Sequence, residues 1–181
     1  MPKENPSWAQ LWALRILAIA GITLLCWLDG SPSPAFAFAL TWGPNGLFLV
    51  AFMKGVLRLP RGLEPVHAVE PKLYHYLGVG LVKRLVSTPM WPMLCGMEPP
   101  PKPSSRQGFL VRTELSTKGA EVCHGATFLL ALSVALFLLT SGRNSAAVWI
   151  LAFNFALNGY PVMLQRSNRW RIQRIQQARG N

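Results

Sequence analysis

The stretch VCHGATFLLALSVALFLLT, residues 122–140, carries no charged side chain, and after a short SGRN turn a second such run follows, SAAVWILAFNFALNGYPVML, residues 145–164. At about 1.5 Å of rise per residue, a helix of this length covers the roughly 30 Å hydrocarbon core of a bilayer. Two similar runs lie upstream: WAQLWALRILAIAGITLLCWL at 8–28, with Arg15 as its one charge, and AFAFALTWGPNGLFLVAFM at 35–53, with none. The predicted fold is therefore all-α and integral to the membrane. Residues 1–181 form one membrane domain of about four transmembrane helices in two hairpins, turning at Asp29–Pro34 and at Ser141–Asn144.

Composition points the same way. Hydrophobic residues make up 51% of the chain and charged residues only 14%, against about 25% charged in an average soluble domain. Disorder is excluded by that apolar content. The 18 Lys and Arg outnumber the 7 Asp and Glu for a net charge of +11, but a nucleic-acid partner is not expected, since such a protein would not need this much apolar surface. Cys26, Cys95 and Cys123 are odd in number and show no C-x-x-C spacing, which speaks against a disulfide framework or a zinc module.

Two upstream features qualify the count of spans. Gly43-Pro44-Asn45-Gly46 interrupts the second run, which predicts a kink or a re-entrant turn buried against protein. Ala35-Phe36-Ala37 offers a small-residue cleavage site, so the first run has a rival reading as a signal peptide. Arg15 within the run and Glu4 ahead of it argue for the transmembrane reading.

Orientation follows from the cations. The stretch 54–121 holds ten Lys and Arg against five Glu, and the tail 165–181 holds five Arg and no acid. The two short turns hold only Asp29 and Arg143. Positive-inside bias then places both termini and the 54–121 stretch in the cytoplasm of a multi-pass cell-membrane protein. Within that stretch, Leu73, Leu77, Leu81 and Leu85 are four apart, with Lys72, Lys83 and Arg84 opposite. This predicts a helix over 71–88 lying in the membrane interface, weakened by Gly78 and Gly80. Residues 96–108 read as a Pro-rich linker, and Phe109–Thr113 as a short strand or the approach to the third span.

The turn at Ser141–Asn144 makes the last two spans antiparallel, so residues equidistant from it lie at similar depth. Glu121 falls level with Leu164 and Gln165, His124 with Pro161, and Asn158 with Thr127. Glu121, His124, Asn158, Gln165 and Arg166 thus gather at one end. Glu121 and His124 share a helix face, as do Asn154 and Asn158. Polar groups at such depth turn toward protein and mark function by default. A neutral imidazole can take a proton from an attacking hydroxyl while a carboxylate fixes its tautomer, and Asn, Gln or Arg can stabilise an acyl-transfer oxyanion. The catalytic candidates are His124, Glu121 and Asn158. Equally open is a structural reading, with Glu121 paired to Arg166, Asn158 bonded to a neighbouring helix and His124 merely interfacial. A metal site is not expected, because the Glu-x-x-His pair lacks the second copy and further carboxylates of di-iron bundles. The tail Gln165-Arg166-Ser167-Asn168-Arg169-Trp170-Arg171 reads either as positive-inside anchoring or as capture of a phosphate or carboxylate by Arg forks. Gln165, Arg166, Asn168, Arg169 and Arg171 are the substrate- and donor-binding candidates, with membrane lipid headgroups as further partners.

These residues carry a family resemblance. Ala120-Glu121-Val122-Cys123-His124, then Asn158, Gln165-Arg166, Asn168-Arg169 and Arg171, resemble the carboxy-terminal pattern of the glycosyl-4,4'-diaponeurosporenoate acyltransferases. Upstream, Arg58-Leu59-Pro60, Glu70, Tyr74-His75-Tyr76-Leu77-Gly78-Val79 and Lys83 are similar to the family's middle region, so that about residues 55–175 are covered. His75 stands where many members have an acid, and Val82-Lys83 where a Trp-Lys pair is usual. The resemblance implies a small membrane enzyme that esterifies a sugar hydroxyl of a glycosylated carotenoid, or a similar glycolipid, with a fatty acyl chain. No cofactor is implied beyond an acyl donor such as a thioester. The alternative is a non-catalytic membrane subunit packed in a larger pigment- or lipid-handling complex, which the seven Trp and nine Phe fit equally well. No Gly-rich phosphate loop and no G-x-S-x-G elbow is present.

Overall fold

The computed structural model describes residues 34–87 and 105–180. The first apolar run, 8–28, and most of the Pro-rich linker lie outside them. The described residues are helical, with no strand among them: α1 (Pro34–Trp42), α2 (Pro44–Met53), a 3-10 turn (Arg61–Leu63), α3 (Val69–Tyr76), α4 (Val79–Val86), α5 (Arg106–Thr140), α6 (Asn144–Asn154), a π-helical turn (Phe155–Gly159) and α7 (Tyr160–Gly180). Among the described residues, three stretches are long and apolar enough to cross a membrane: Pro34–Met53, Gly108–Thr140 and Asn144–Ala178. The second apolar run thus pauses only at Gly43 and resumes as helix. The third run starts 16 residues earlier than its apolar core, because the polar stretch 106–121 is helical too; Phe109–Thr113 is the approach to that span and not a strand. Ala35-Phe36-Ala37 sits inside α1, with Ala37 buried.

The chain divides into two compact units. The first takes residues up to Leu57 and Cys123–Gly159. Its core is built from small side chains, Ala37, Ala131, Ala135, Ala146 and Ala147, joined by Leu138 and Ile150. Large apolar side chains instead point outward: Leu47, Val50, Leu129, Leu136, Phe137, Val148 and Trp149 are all exposed. In water this arrangement is inside out, since exposed apolar area carries the cost. Among lipid tails it is the expected one, because burying Leu against protein gains little there while alanines let helix backbones approach closely. At the end of α5, Gly142 adopts a positive φ of 76°, the left-handed conformation that closes a helix at little cost only for glycine.

The second unit takes Arg58–Val122 and Tyr160 onward. There α3 and α4 pack on α7, with Val66, Val79, Leu110, Val122, Leu164 and Ile172 buried. The expected single helix over 71–88 is two short ones. Gly78, at φ 79°, caps α3 through its N–H to the His75 carbonyl and turns the chain into α4. Leu73, Leu77, Leu81 and Leu85 all remain exposed, with Lys72 and Arg84 also outward, the composition of a surface that lies along a bilayer interface.

Candidate functional site

Each unit carries one buried polar cluster. That of the first unit is built on amides. Asn158, fully buried within the π-helical turn, donates through Nδ2 to the Thr41 carbonyl at 2.9 Å and to Asn154 Oδ1 at 3.0 Å. Its Oδ1 lies 3.1 Å from Asn45 Nδ2 and 3.0 Å from His124 Nδ1. Asn154 Nδ2 in turn donates to the Phe128 carbonyl at 2.9 Å, and the Thr127 hydroxyl faces Asn45 Oδ1 and the Cys123 carbonyl, each at 3.0 Å.

Hydrogen-bond accounting fixes the protonation pattern of this cluster. A backbone carbonyl only accepts, so the Asn158 nitrogen must be the atom facing Thr41, and Oδ1 must be the atom facing His124. An amide oxygen cannot donate. The imidazole therefore carries a proton on Nδ1, and in its neutral form the lone pair is on Nε2. The same accounting leaves Asn158 without a spare donor, since both amide hydrogens are already taken. It accepts from the imidazole and has no hydrogen left for an oxyanion. The pairing of Asn154 with Asn158 at i, i+4 is the one read from the sequence; the side chain at His124 Nδ1, in the place expected of Glu121, is Asn158.

The cluster of the second unit is ionic. Arg166 grips Glu70 through two parallel bonds, Nε to Oε2 at 2.6 Å and Nη2 to Oε1 at 2.9 Å, and gives Nη1 to Glu121 Oε1 at 2.8 Å and to the Leu63 carbonyl at 3.1 Å. Arg169, fully buried, places Nη2 2.7 Å from the Leu63 carbonyl and 3.2 Å from Glu121 Oε2. Tyr74 donates to Glu70 Oε2 at 2.8 Å. The hydrogen bonds from Arg166 hold the Glu70 carboxyl at about 2, well below its ordinary 4.5, while burial and the bond to Glu70 push the Tyr74 hydroxyl up to about 12. Gln173 ties the same loop down, accepting from the Val66 N–H at 3.2 Å and donating to the Glu64 carbonyl at 2.9 Å. The Glu121–Arg166 pair is the one the sequence suggests. Glu70, the bidentate partner of Arg166, stands out in the sequence only through the family resemblance.

Three buried polar atoms lack a hydrogen-bond partner among the described residues, and all belong to one ion pair: Arg169 Nε and Nη1, and Glu121 Oε2. Of the other tail candidates, Gln165 and Asn168 are half-buried and Arg171 is exposed. His124 and Asn158 belong to the first unit, and Glu121, Gln165, Arg166, Asn168, Arg169 and Arg171 to the second. No group of three or more His, Cys, Asp or Glu suited to a metal ion occurs among the described residues.

A family model described as glycosyl-4,4'-diaponeurosporenoate acyltransferase matches residues 60–178, about two thirds of the chain. The chain belongs to that family. The match takes in Glu70, Glu121, His124, Asn154, Asn158, Arg166 and Arg169, and leaves Thr41 and Asn45 outside it. Among the curated proteins none matches, and none of the solved structures does.

Proposed function

We propose that the protein is a membrane O-acyltransferase that esterifies a sugar hydroxyl of a glycosylated carotenoid, or a closely similar glycolipid, with a fatty acyl chain. Family membership supports the reaction class, and one geometric observation supports the mechanism: with Asn158 Oδ1 at His124 Nδ1, a neutral imidazole keeps its lone pair on Nε2. In this reading Nε2 takes the proton as the sugar oxygen attacks the acyl carbonyl of a thioester donor. The new C–O bond forms, the tetrahedral intermediate collapses, the C–S bond breaks, and the imidazolium returns the proton to the leaving thiolate. Such proton transfer contributes about 10²–10⁴-fold.

In the second unit, the open N–H groups of Arg169 beside the open oxygen of Glu121 suit a polar headgroup presenting both acceptors and a donor, such as a hydroxyl. Gln165, Asn168 and Arg171 are assigned to donor or lipid-headgroup contacts, with Arg171 free to meet phosphate. Four spans with both termini and residues 54–121 on the cytoplasmic side of the cell membrane complete the proposal, the cationic flanks supporting it. The test is expression in a host that makes glycosylated carotenoids, followed by mass spectrometry of the lipid extract. The proposal predicts a new species heavier by one acyl group. An extract identical to that of the empty host contradicts it.

A further inference from the structure

The interruption of Pro34–Met53 at Gly43 lies outside the family match, and the acyl-transfer reading does not explain it. Its surroundings do. Pro44 has no N–H to offer the preceding turn, and Asn45, one residue on, folds its side chain back over the break: Nδ2 lies 3.3 Å from both the Thr41 and the Trp42 carbonyl. The same nitrogen stands 3.1 Å from Asn158 Oδ1, while the Thr41 carbonyl accepts from Asn158 Nδ2 at 2.9 Å. Both ends of one buried amide are therefore held from the same five-residue stretch, one by a donor and the other by an acceptor.

A lone side-chain amide can turn over and exchange its oxygen and nitrogen at little cost. This one cannot. Turned over, Asn158 would set its oxygen against the Thr41 carbonyl and its NH2 against the donors of Asn45, two like-with-like contacts in a buried place. The Thr127 hydroxyl, 3.0 Å from Asn45 Oδ1, holds the Asn45 amide in the matching sense. We propose that Asn45 is a positioning residue, and that the helix break at Gly43-Pro44 exists to lock the Asn158 amide and, through it, the Nδ1–H tautomer of His124. This rests on the reading of His124 as the base, but the lock itself is a property of the folded chain and is measurable without turnover.

The test uses the full chain in lipid nanodiscs with 15N-labelled imidazoles, at about pH 8, where an ordinary histidine is neutral. The chain has three histidines, and His67→Gln and His75→Gln identify the His124 signals. The wild type should show His124 with hydrogen on Nδ1 and a bare Nε2. Asn45→Asp replaces the donor by an acceptor at nearly constant size, and Asn45→Ala removes it. Asn45→Asp, which sets an acceptor against Asn158 Oδ1, should bring the Nε2–H form of His124 into view and lower kcat about tenfold with KM changed less than about twofold. Asn45→Ala, which leaves the Thr41 carbonyl and Asn154 Oδ1 on Asn158 Nδ2, should do the same to a smaller extent. A wild-type spectrum already showing Nε2–H overturns the proposal whatever the variants do. So does an unchanged His124 pattern in folded Asn45 variants. If His124→Ala leaves acyl transfer intact, the catalytic reading falls while the tautomer result stands by itself.

Discussion

At the residue scale, the two clusters differ in how completely they are closed. The amide cluster is saturated: Asn158 uses both donors and accepts twice, so its value lies in geometry. Asn158→Ala should therefore reduce kcat by roughly 10–100-fold, below the full general-base contribution, with circular dichroism confirming that the helices survive. In the ionic cluster, Glu121→Ala leaves Arg166 its grip on Glu70 but strands the fully buried Arg169 without a carboxylate, and should cost roughly 3–5 kcal/mol, read as a fall in the detergent-solubilised thermal midpoint. Glu70 gives a pH signature. Its folded-state value of about 2 lies below the ordinary 4.5, so its contribution is complete above about 4.5 and fades as pH falls toward 2. Wild-type stability should accordingly lose a component between pH 4.5 and 2 that Glu70→Gln lacks, while neither profile bends on this account between pH 6 and 8. The sequence made the Glu121–Arg166 pair legible because two opposite charges stand at similar distances on either side of one short turn. Glu70 and Asn45 were not legible as partners, since the contacts they make bridge 96 and 113 residues and no local period encodes them.

At the scale of elements, length and apolarity marked the stretches able to span a membrane among the described residues, but not the helical stretch 106–121 or the breaks. The π-helical turn Phe155–Gly159 inserts into a run that reads as one continuous span; a turn of this kind re-aims side chains, and Asn158 is the one it buries. Gly43-Pro44 read as an interruption, and its purpose emerged only with the Asn158 amide in place. Gly78 splits an apparently single amphipathic helix because its backbone takes a left-handed φ. A Cβ there meets no atom within 4 Å, so Gly78→Ala should cost roughly 1–2 kcal/mol through backbone strain alone. A loss within that range in the thermal midpoint, with the amide cluster unaffected, is the expected result; no loss would show that the turn does not need this conformation.

At the scale of the molecule, alanine cores beneath exposed Leu, Phe and Trp describe a protein whose solvent is lipid. Carbonate washing should leave it in the membrane fraction and detergent should release it; recovery in the aqueous wash would contradict three spanning helices. The high apolar content and the excess of arginine are two demands on one chain, the first from the bilayer and the second from its faces. Part of that arginine is not surface charge at all, since Arg166 and Arg169 are buried against carboxylates. The central claim concerns His124, and one comparison tests it most directly: membranes bearing equal amounts of wild-type and His124→Ala protein, supplied with a glycosylated carotenoid and an acyl thioester, with product followed by mass spectrometry. The account predicts acylated carotenoid from the wild type and a loss of about 10²-fold or more in the variant; equal product from both would contradict it.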